Sequence, residues 1–454
     1  MRSETTTEIS ITVDKSRELA VPLQIAEGIR SLLQTGALTP GDNLPSTRTL
    51  AGQLGVSRGS MIAAFEELAA EGILLPLRGS GTRVNPALAF SEYSAATALK
   101  NQYAAPSEAY DSAPDLIDLK PGAPDVTLLN TPAWRAVWRD ALKHTQADPL
   151  TNLRIQITDH LRHSRGMLVD PKDVILTAGA RSGLQLLSTT LGAAISTVGV
   201  EQPGYPGLRL ALSALGKHMT TISPKLSAVS APDAALVTPN HQYPSGDPLA
   251  GEQRVALATW AAQTNTLLIE DDFNSELRYN GSALPTLASL APQHTILLGS
   301  FSALLDPALN VGYLIAPPAM RPLLQRTQQD LGSPVNTVTA AALSEFLARG
   351  HLKRHTQRAK RVYQRRRNLV QELLSNLNAA KLLPINAGLH SVLLTERPAE
   401  LVTAAVAAQG YRVRTLDAYW AGQNYQNGIV FGFGALPDAE LISALHAITA
   451  AAKA

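Results

Sequence analysis

Apolar positions follow two different rhythms along the chain. In the first, Met61, Phe65 and Leu68 recur at helical spacing behind Ser57-Arg58, so the other face of that helix is free to be exposed. Ser46, after Pro45, is placed to cap a preceding helix through Leu50-Ala51. Gly55 supplies a tight turn, and Ser57 is placed to cap the helix that follows. Downstream, Ile73-Leu74-Leu75-Pro76-Leu77 and Thr82-Arg83-Val84 flank Arg78-Gly79-Ser80-Gly81, a predicted β-hairpin with a glycine-rich tip. The second rhythm starts at Leu116. Short apolar runs at 174–179, 197–204, 234–240, 266–272 and 295–301 end in glycine, proline, acidic or polar residues, with helical stretches between most of them. Buried strands joined by crossover helices predict an α/β fold with a mostly parallel sheet. Such sheets bind ligands at the carboxyl ends of their strands. Polar residues gather there: Gly179-Ala180-Arg181, Pro203-Gly204-Tyr205, His241-Gln242-Tyr243, Glu270-Asp271-Asp272 and Ser300-Phe301-Ser302.

Between the two rhythms, residues 86–115 are rich in Ala, Ser and Pro and read as a linker. The expected division is therefore 12–85, a linker at 86–115, and a body at 116–454. The body has a large part at about 165–325 and a smaller α+β part at about 330–454. A length of 454 residues suits two to three domains, and the absence of cysteine excludes disulfides, thiolate metal sites and a cysteine nucleophile. No apolar signal core opens the chain, and no run approaches the ~18 residues of a membrane span, so the reading is a cytoplasmic protein without membrane partners. The formal charge of +2 hides an asymmetry: residues 349–371 hold nine Lys/Arg and no acid. The stretch 349–367 reads as a long helix with a broad cationic face. That face could contact phosphates, dock on acidic surface of a partner subunit, or simply be solvated. His160/His163 and His351/His355 have metal-compatible spacing, but no acid completes either pair, so no metal site is expected.

The pattern LPS.R.LA..LGVSR (44–58) followed by RGSGT.V (78–84) resembles the winged helix-turn-helix of GntR-type transcription regulators. The resemblance implies DNA contacts from Arg48, Ser57, Arg58, Ser60, Arg78, Gly79 and Gly81. Residues 11–85 balance seven basic against seven acidic residues, so placement of arginines, not net charge, carries the reading. Arginine suits bidentate contacts with guanine or phosphate.

From Leu116 onward the chain resembles fold-type I aminotransferases of the MocR/GabR kind, the version fused to GntR-type heads. The carrying blocks include IDLKPGAPD (117–125), RG (165–166), EQPGYPG (201–207), TPNHQYPSG (238–246), EDDFNSELRYNG (270–281), GSFS (299–302) and AGLH (387–390). That family binds pyridoxal 5′-phosphate. The resemblance assigns Asp271 to the pyridine nitrogen, Tyr205 to ring stacking, and Gly179, Ala180 and Arg181 to the phosphate turn, with Tyr243 and Ser302 also lining the pocket. Three positions depart. Ala303 stands where the family has its cofactor-attaching lysine, Phe273 where it has a tyrosine that donates to the ring hydroxyl, and Asn310 where it has a phosphate arginine. Arg181 itself replaces the usual glutamine. Asp306 occupies a usually apolar position, and the segment 148–154 lacks the family's glycine and is shorter.

Catalysis with this cofactor needs a lysine amine, which alanine cannot replace. The expectation is a DNA-binding regulator, not an enzyme, with no covalently bound cofactor and room for weak non-covalent pyridoxal 5′-phosphate. Its partners would be operator duplex DNA, a small-molecule effector and a second copy in a head-to-tail, domain-swapped homodimer. A ligand-independent DNA-binding dimer is the alternative; an active aminotransferase is disfavoured by Ala303.

Overall fold

A computed structural model describes residues 11–14, 16–17, 19–77, 81–88, 116–143, 147–222, 231–281, 284–420 and 426–453. The chain divides into two compact units, Met1–Ser112 and Ala113–Ala454.

In the first unit three helices, Val21–Gln34, Thr47–Gln53 and Arg58–Ala70, enclose a core of Ile25, Ile29, Leu50, Met61, Phe65 and Leu68. The capping expected from sequence is present. Ser46 accepts from Thr49 N at 3.1 Å and Ser57 from Ser60 N at 3.0 Å. Each bond satisfies an amide that the first turn of a helix leaves open, worth ~1 kcal/mol. Strands Leu74–Leu77 and Gly81–Val84 pair antiparallel, with Leu77 opposite Gly81, and Asn43–Leu44 adds a third strand. Arg30 clamps the first helix to the third through Glu67 (2.9 Å) and Glu71 (2.5 Å).

In the second unit a seven-stranded sheet runs in the spatial order 175–177, 312–315, 295–300, 267–271, 234–237, 197–200, 218–221. Every pairing is parallel except those of Gly312–Ile315. Successive residues of a strand enter different clusters. Ile296 and Leu298 pack with Leu184, Leu208 and Leu324, while Leu297 packs with Leu153, Ile157 and Leu343. Both faces are thus covered, which is why these strands read as continuous apolar runs. A second, antiparallel sheet joins Ala380–Leu382, His390–Thr395, Gly428–Gly432 and Arg414–Thr415, backed by helices Ala399–Ala407 and Asp438–Lys453.

The basic stretch lies in one helix, His351–Leu374, but it does not form a uniform cationic face. Arg366 is buried and bonds Asp125 (2.7 Å), Asp438 (3.0 Å) and the Gly434 carbonyl. Arg365 pairs with Asp438, Arg358 donates to the Leu128 carbonyl, and Arg367 donates to the Ile385 carbonyl while lying over the Tyr279 ring. Four of the eight Lys/Arg in this helix therefore fasten it to its own body. Among the described residues no helix is long and apolar enough to cross a membrane.

Candidate functional site

Two places collect the polar residues singled out above, one in each unit. In the first unit, Arg48 lies in the first turn of Thr47–Gln53, and Arg58 opens Arg58–Ala70. Both are exposed, and neither takes part in any ion pair among the described residues. The acids of the third helix nearest its far end, Glu67 and Glu71, are bound by Arg30. The amino end of the helix thus presents Arg58 and Ser60 without a competing carboxylate bond, while Met61, Ala64, Phe65 and Leu68 face the core. Ser57 serves as the cap, so its hydroxyl is committed to the backbone of Ser60 and to the Ser60 hydroxyl at 2.8 Å. Gly81 begins the second strand of the hairpin; Arg78 and Gly79 lie outside the described residues.

In the second unit, the pocket residues lie at or just past the carboxyl ends of five strands: the four neighbours 295–300, 267–271, 234–237 and 197–200, and the edge strand 175–177. Gly179 follows strand Ile175–Thr177 and precedes helix Ala180–Leu191, with φ +95°, a conformation glycine adopts without strain. The open amides at this helix start suit an anion. Arg181 is exposed, and its guanidinium and the Tyr205 ring both border Gly207, where a Cβ would sit 2.6 Å from Arg181 Nη2 and 2.8 Å from Tyr205 Cζ. Tyr205 meets Tyr243 edge-on at 5.1 Å between ring centroids, and Tyr243 lies 5.4 Å from Phe273. The Tyr419 ring stacks on Tyr243 with 5.5 Å between centroids. Sequence reasoning missed Tyr419, which belongs to none of the motifs.

Asp271 closes strand Leu267–Asp271. It is buried, and no hydrogen bond or ion pair to its carboxylate occurs among the described residues. Burial, then the charges of Asp272 and Glu201, push it up to about 7. Its neighbour Asp272 has the opposite surroundings: Arg165 Nε at 2.7 Å, Asn240 Nδ2 at 2.8 Å and the Ser275 hydroxyl. Arg165 also binds Glu276 at 2.8 Å, and His160 bonds the same oxygen at 3.1 Å. One acid is thus enclosed in partners while the adjacent one is left for something else. A raised acid weakens folding as pH rises from its unfolded value, because the native state holds the proton longer. Asp271→Asn should therefore gain stability over the wild type progressively between pH 3.8 and about 7 and level off above it, as thermal melts across that range would register.

Ser302 and Ala303 are half-buried just past strand Thr295–Ser300. Asn310 is exposed with φ +48°, ending the short turn Pro307–Leu309. Asp306 caps that turn by accepting from Ala308 N at 2.8 Å, which gives this unusual residue a local structural role. Asp148 likewise caps helix Pro149–Arg165. Gly388 of AGLH has φ +78°, and a Cβ there would come within 2.5 Å of His241 Nε2, so the two motif blocks interlock. Among the described residues no three His, Asp or Glu side chains group as a metal would require.

Comparison with known proteins fits both units. The family "Bacterial regulatory proteins, gntR family" matches residues 22–84, and "Aminotransferase class I and II" matches residues 139–419. The chain is 45% identical over 438 residues to the HTH-type pyridoxine biosynthesis transcriptional regulator PdxR of Corynebacterium glutamicum, spanning 94% of this chain and 95% of that one. It is 25% identical to the probable rhizopine catabolism regulatory protein MocR of Rhizobium meliloti, over 97% and 95% of the two chains. Among solved structures, the multiple substrate aminotransferase of Thermococcus profundus superposes with a TM-score of 0.68 at 19% identity, covering 75% of this chain and 92% of that one. This last likeness speaks to the fold alone.

Proposed function

Because the chain belongs to the GntR family of bacterial regulatory proteins, joined here to an aminotransferase class I and II domain, and is a DNA-binding transcription regulator, we propose that its aminotransferase-like domain is a non-catalytic receptor for a small molecule. Arg48, Arg58, Ser60 and Gly81, with Arg78 and Gly79, are the proposed DNA contacts, and Ser57 supports them as a cap. The body is proposed to dimerise, so that two heads read two half-sites. The fold usually binds pyridoxal 5′-phosphate, and the similarity to a pyridoxine biosynthesis regulator favours that cofactor or a near relative as effector.

The observation that carries the receptor reading is Asp271: a largely buried carboxyl with no hydrogen-bond partner among the described residues, beside Asp272, which is held by Arg165, Asn240 and Ser275. Such a group lowers stability and suits a ligand that brings its own N–H donor. Asp271, the ring of Tyr205, and the turn Gly179–Ala180 with Arg181 and Ser302 fit the non-covalent half of a pyridoxal phosphate site. Ala303 does not fit the covalent half, Phe273 offers no donor, and Asn310 brings no charge. When attached to a lysine the cofactor serves as an electron sink; here the chain's residues would only bind and orient it.

Titration of the purified chain with pyridoxal 5′-phosphate, followed by borohydride treatment and mass measurement, tests this directly. Saturable binding without a fixed mass increase, together with a changed operator affinity, is the expected result. Operator affinity unmoved by saturating ligand would instead favour a ligand-independent dimer. Ala303→Lys should restore at most weak covalent attachment, because Phe273 and Asn310 remain; a tightly bound yellow protein from that one change would contradict this.

A further inference from the structure

The outward face of helix Arg58–Ala70 carries an apolar side chain that neither its cap nor its core explains. Over its first three turns the exposed positions are Arg58, Gly59, Ile62, Ala63 and Glu66, while Met61, Ala64, Phe65 and Leu68 are buried. Residues four apart stand one above the other on a helix, so Arg58 and Ile62 share one column and Gly59 and Ala63 the next. The Ser60 hydroxyl is bonded to that of Ser57 at 2.8 Å, within the cap. Ile62 is 37% exposed and is the large apolar side chain of this face. A single exposed isoleucine is unremarkable on most surfaces. This one stands a turn away from the arginine proposed to read a base, beside two small residues that let the helix come close to what it faces.

We propose that Ile62 is a specificity-determining residue that reads a thymine methyl group in each half-site, one or two base steps from the base read by Arg58. This rests on the reading of Arg58–Ala70 as the helix that enters the major groove. Four residues rise about 6 Å along a helix, and stacked bases lie about 3.4 Å apart, which sets that spacing. The 5-methyl of thymine is the apolar feature of the major groove, and an aliphatic side chain covers it. Cytosine offers an amino donor and no methyl, and the purines offer N7 with an exocyclic polar group. Each of these would leave a polar edge against a hydrocarbon chain and lose its water without gaining a partner. Gly59 and Ala63, in the neighbouring column, bring no polar group that could read those edges instead.

Selection of duplexes by the full wild-type chain, followed by exchange of the selected thymine for uracil, tests the proposal, because uracil lacks only the 5-methyl. Removing one covered methyl should weaken wild-type binding about fourfold per half-site, as gel retardation would read it. Ile62→Ala should lose most of this distinction between thymine and uracil, whereas Ile62→Val, still branched and aliphatic, should keep most of it. Ile62 belongs to no part of the head's apolar core, so both variants retain the fold, which circular dichroism checks. The inference is overturned if no thymine is selected within two steps of the base whose preference Arg58→Ala flattens. It is equally overturned if wild type and Ile62→Ala prefer thymine over uracil by the same factor; either result leaves the helix in the groove. Operator affinity and base preference both unchanged in Arg58→Ala would overturn the reading of the helix itself, and the inference with it.

Discussion

Arg58→Ala should reduce operator affinity by at least about thirtyfold while leaving the fold and the oligomeric state unchanged. Arg58 opens the helix that follows the turn, where helix-turn-helix proteins reach base edges, and it is exposed with no ion-pair partner among the described residues. A bidentate arginine–base contact is worth roughly 1–3 kcal/mol, and a dimer makes it twice, so losses of about 2–6 kcal/mol are expected. The substitution removes no core contact, because Met61, Ala64, Phe65 and Leu68 carry the buried face. Gel retardation on duplexes selected by the wild-type chain, with sedimentation of the free protein, measures both halves. Arg48→Ala serves as comparison. If Arg48 touches only phosphate, its variant should weaken all sequences uniformly and lower the salt dependence, whereas Arg58→Ala should also flatten base preference. Affinity and base preference both unchanged in Arg58→Ala would remove this helix from the recognition surface.

The head was readable because its signals are local. Ser46, Ser57 and the apolar spacing of Met61, Phe65 and Leu68 each act within four residues, and the caps form as expected. The strands were readable because burial on both faces writes continuous apolar runs, and acids or glycines mark their ends. Contacts between distant residues were not readable. Arg165 lies 107 positions from Asp272 and Arg366 lies 241 from Asp125, so spacing gives no clue to either pair. For the same reason residues 349–367 looked like one cationic face, although Arg358, Arg365, Arg366 and Arg367 are spent on internal bonds. Gly312–Ile315, the antiparallel strand, was also hidden, since an apolar run of four does not encode its direction. Tyr419 illustrates the limit at the pocket: only the fold brings it onto Tyr243.

The second large effect concerns the support beneath the pocket. Arg165→Ala should destabilise the body by about 3–5 kcal/mol, because it leaves a buried acid without its partner. The Arg165 and Asp272 side chains are 2% and 0% exposed, and Glu276 shares the same guanidinium. Arg162, one turn earlier, pairs with Asp159 on the surface; Arg162→Ala should cost no more than about 1 kcal/mol and controls for loss of any helical arginine. The pH dependence separates a broken ion network from simple loss of packing. Burial alone would raise Glu276, but Arg165, joined by His160, holds it well below its ordinary value of 4.5. A depressed acid contributes stability that is present above its unfolded value and fades as pH falls through the folded one. The deficit of Arg165→Ala in urea unfolding should therefore be largest near neutrality and shrink as pH falls below 4.5. A packing defect would give a deficit that does not change with pH. The same substitution reaches the pocket without touching a ligand. Asp272 already raises Asp271, and removing the cation that offsets Asp272 should raise Asp271 further, so that ring binding weakens most at the lower end of the neutral range. Weakened folding with ligand affinity unchanged across pH would confine Arg165 to stability and detach it from the recognition of the ring.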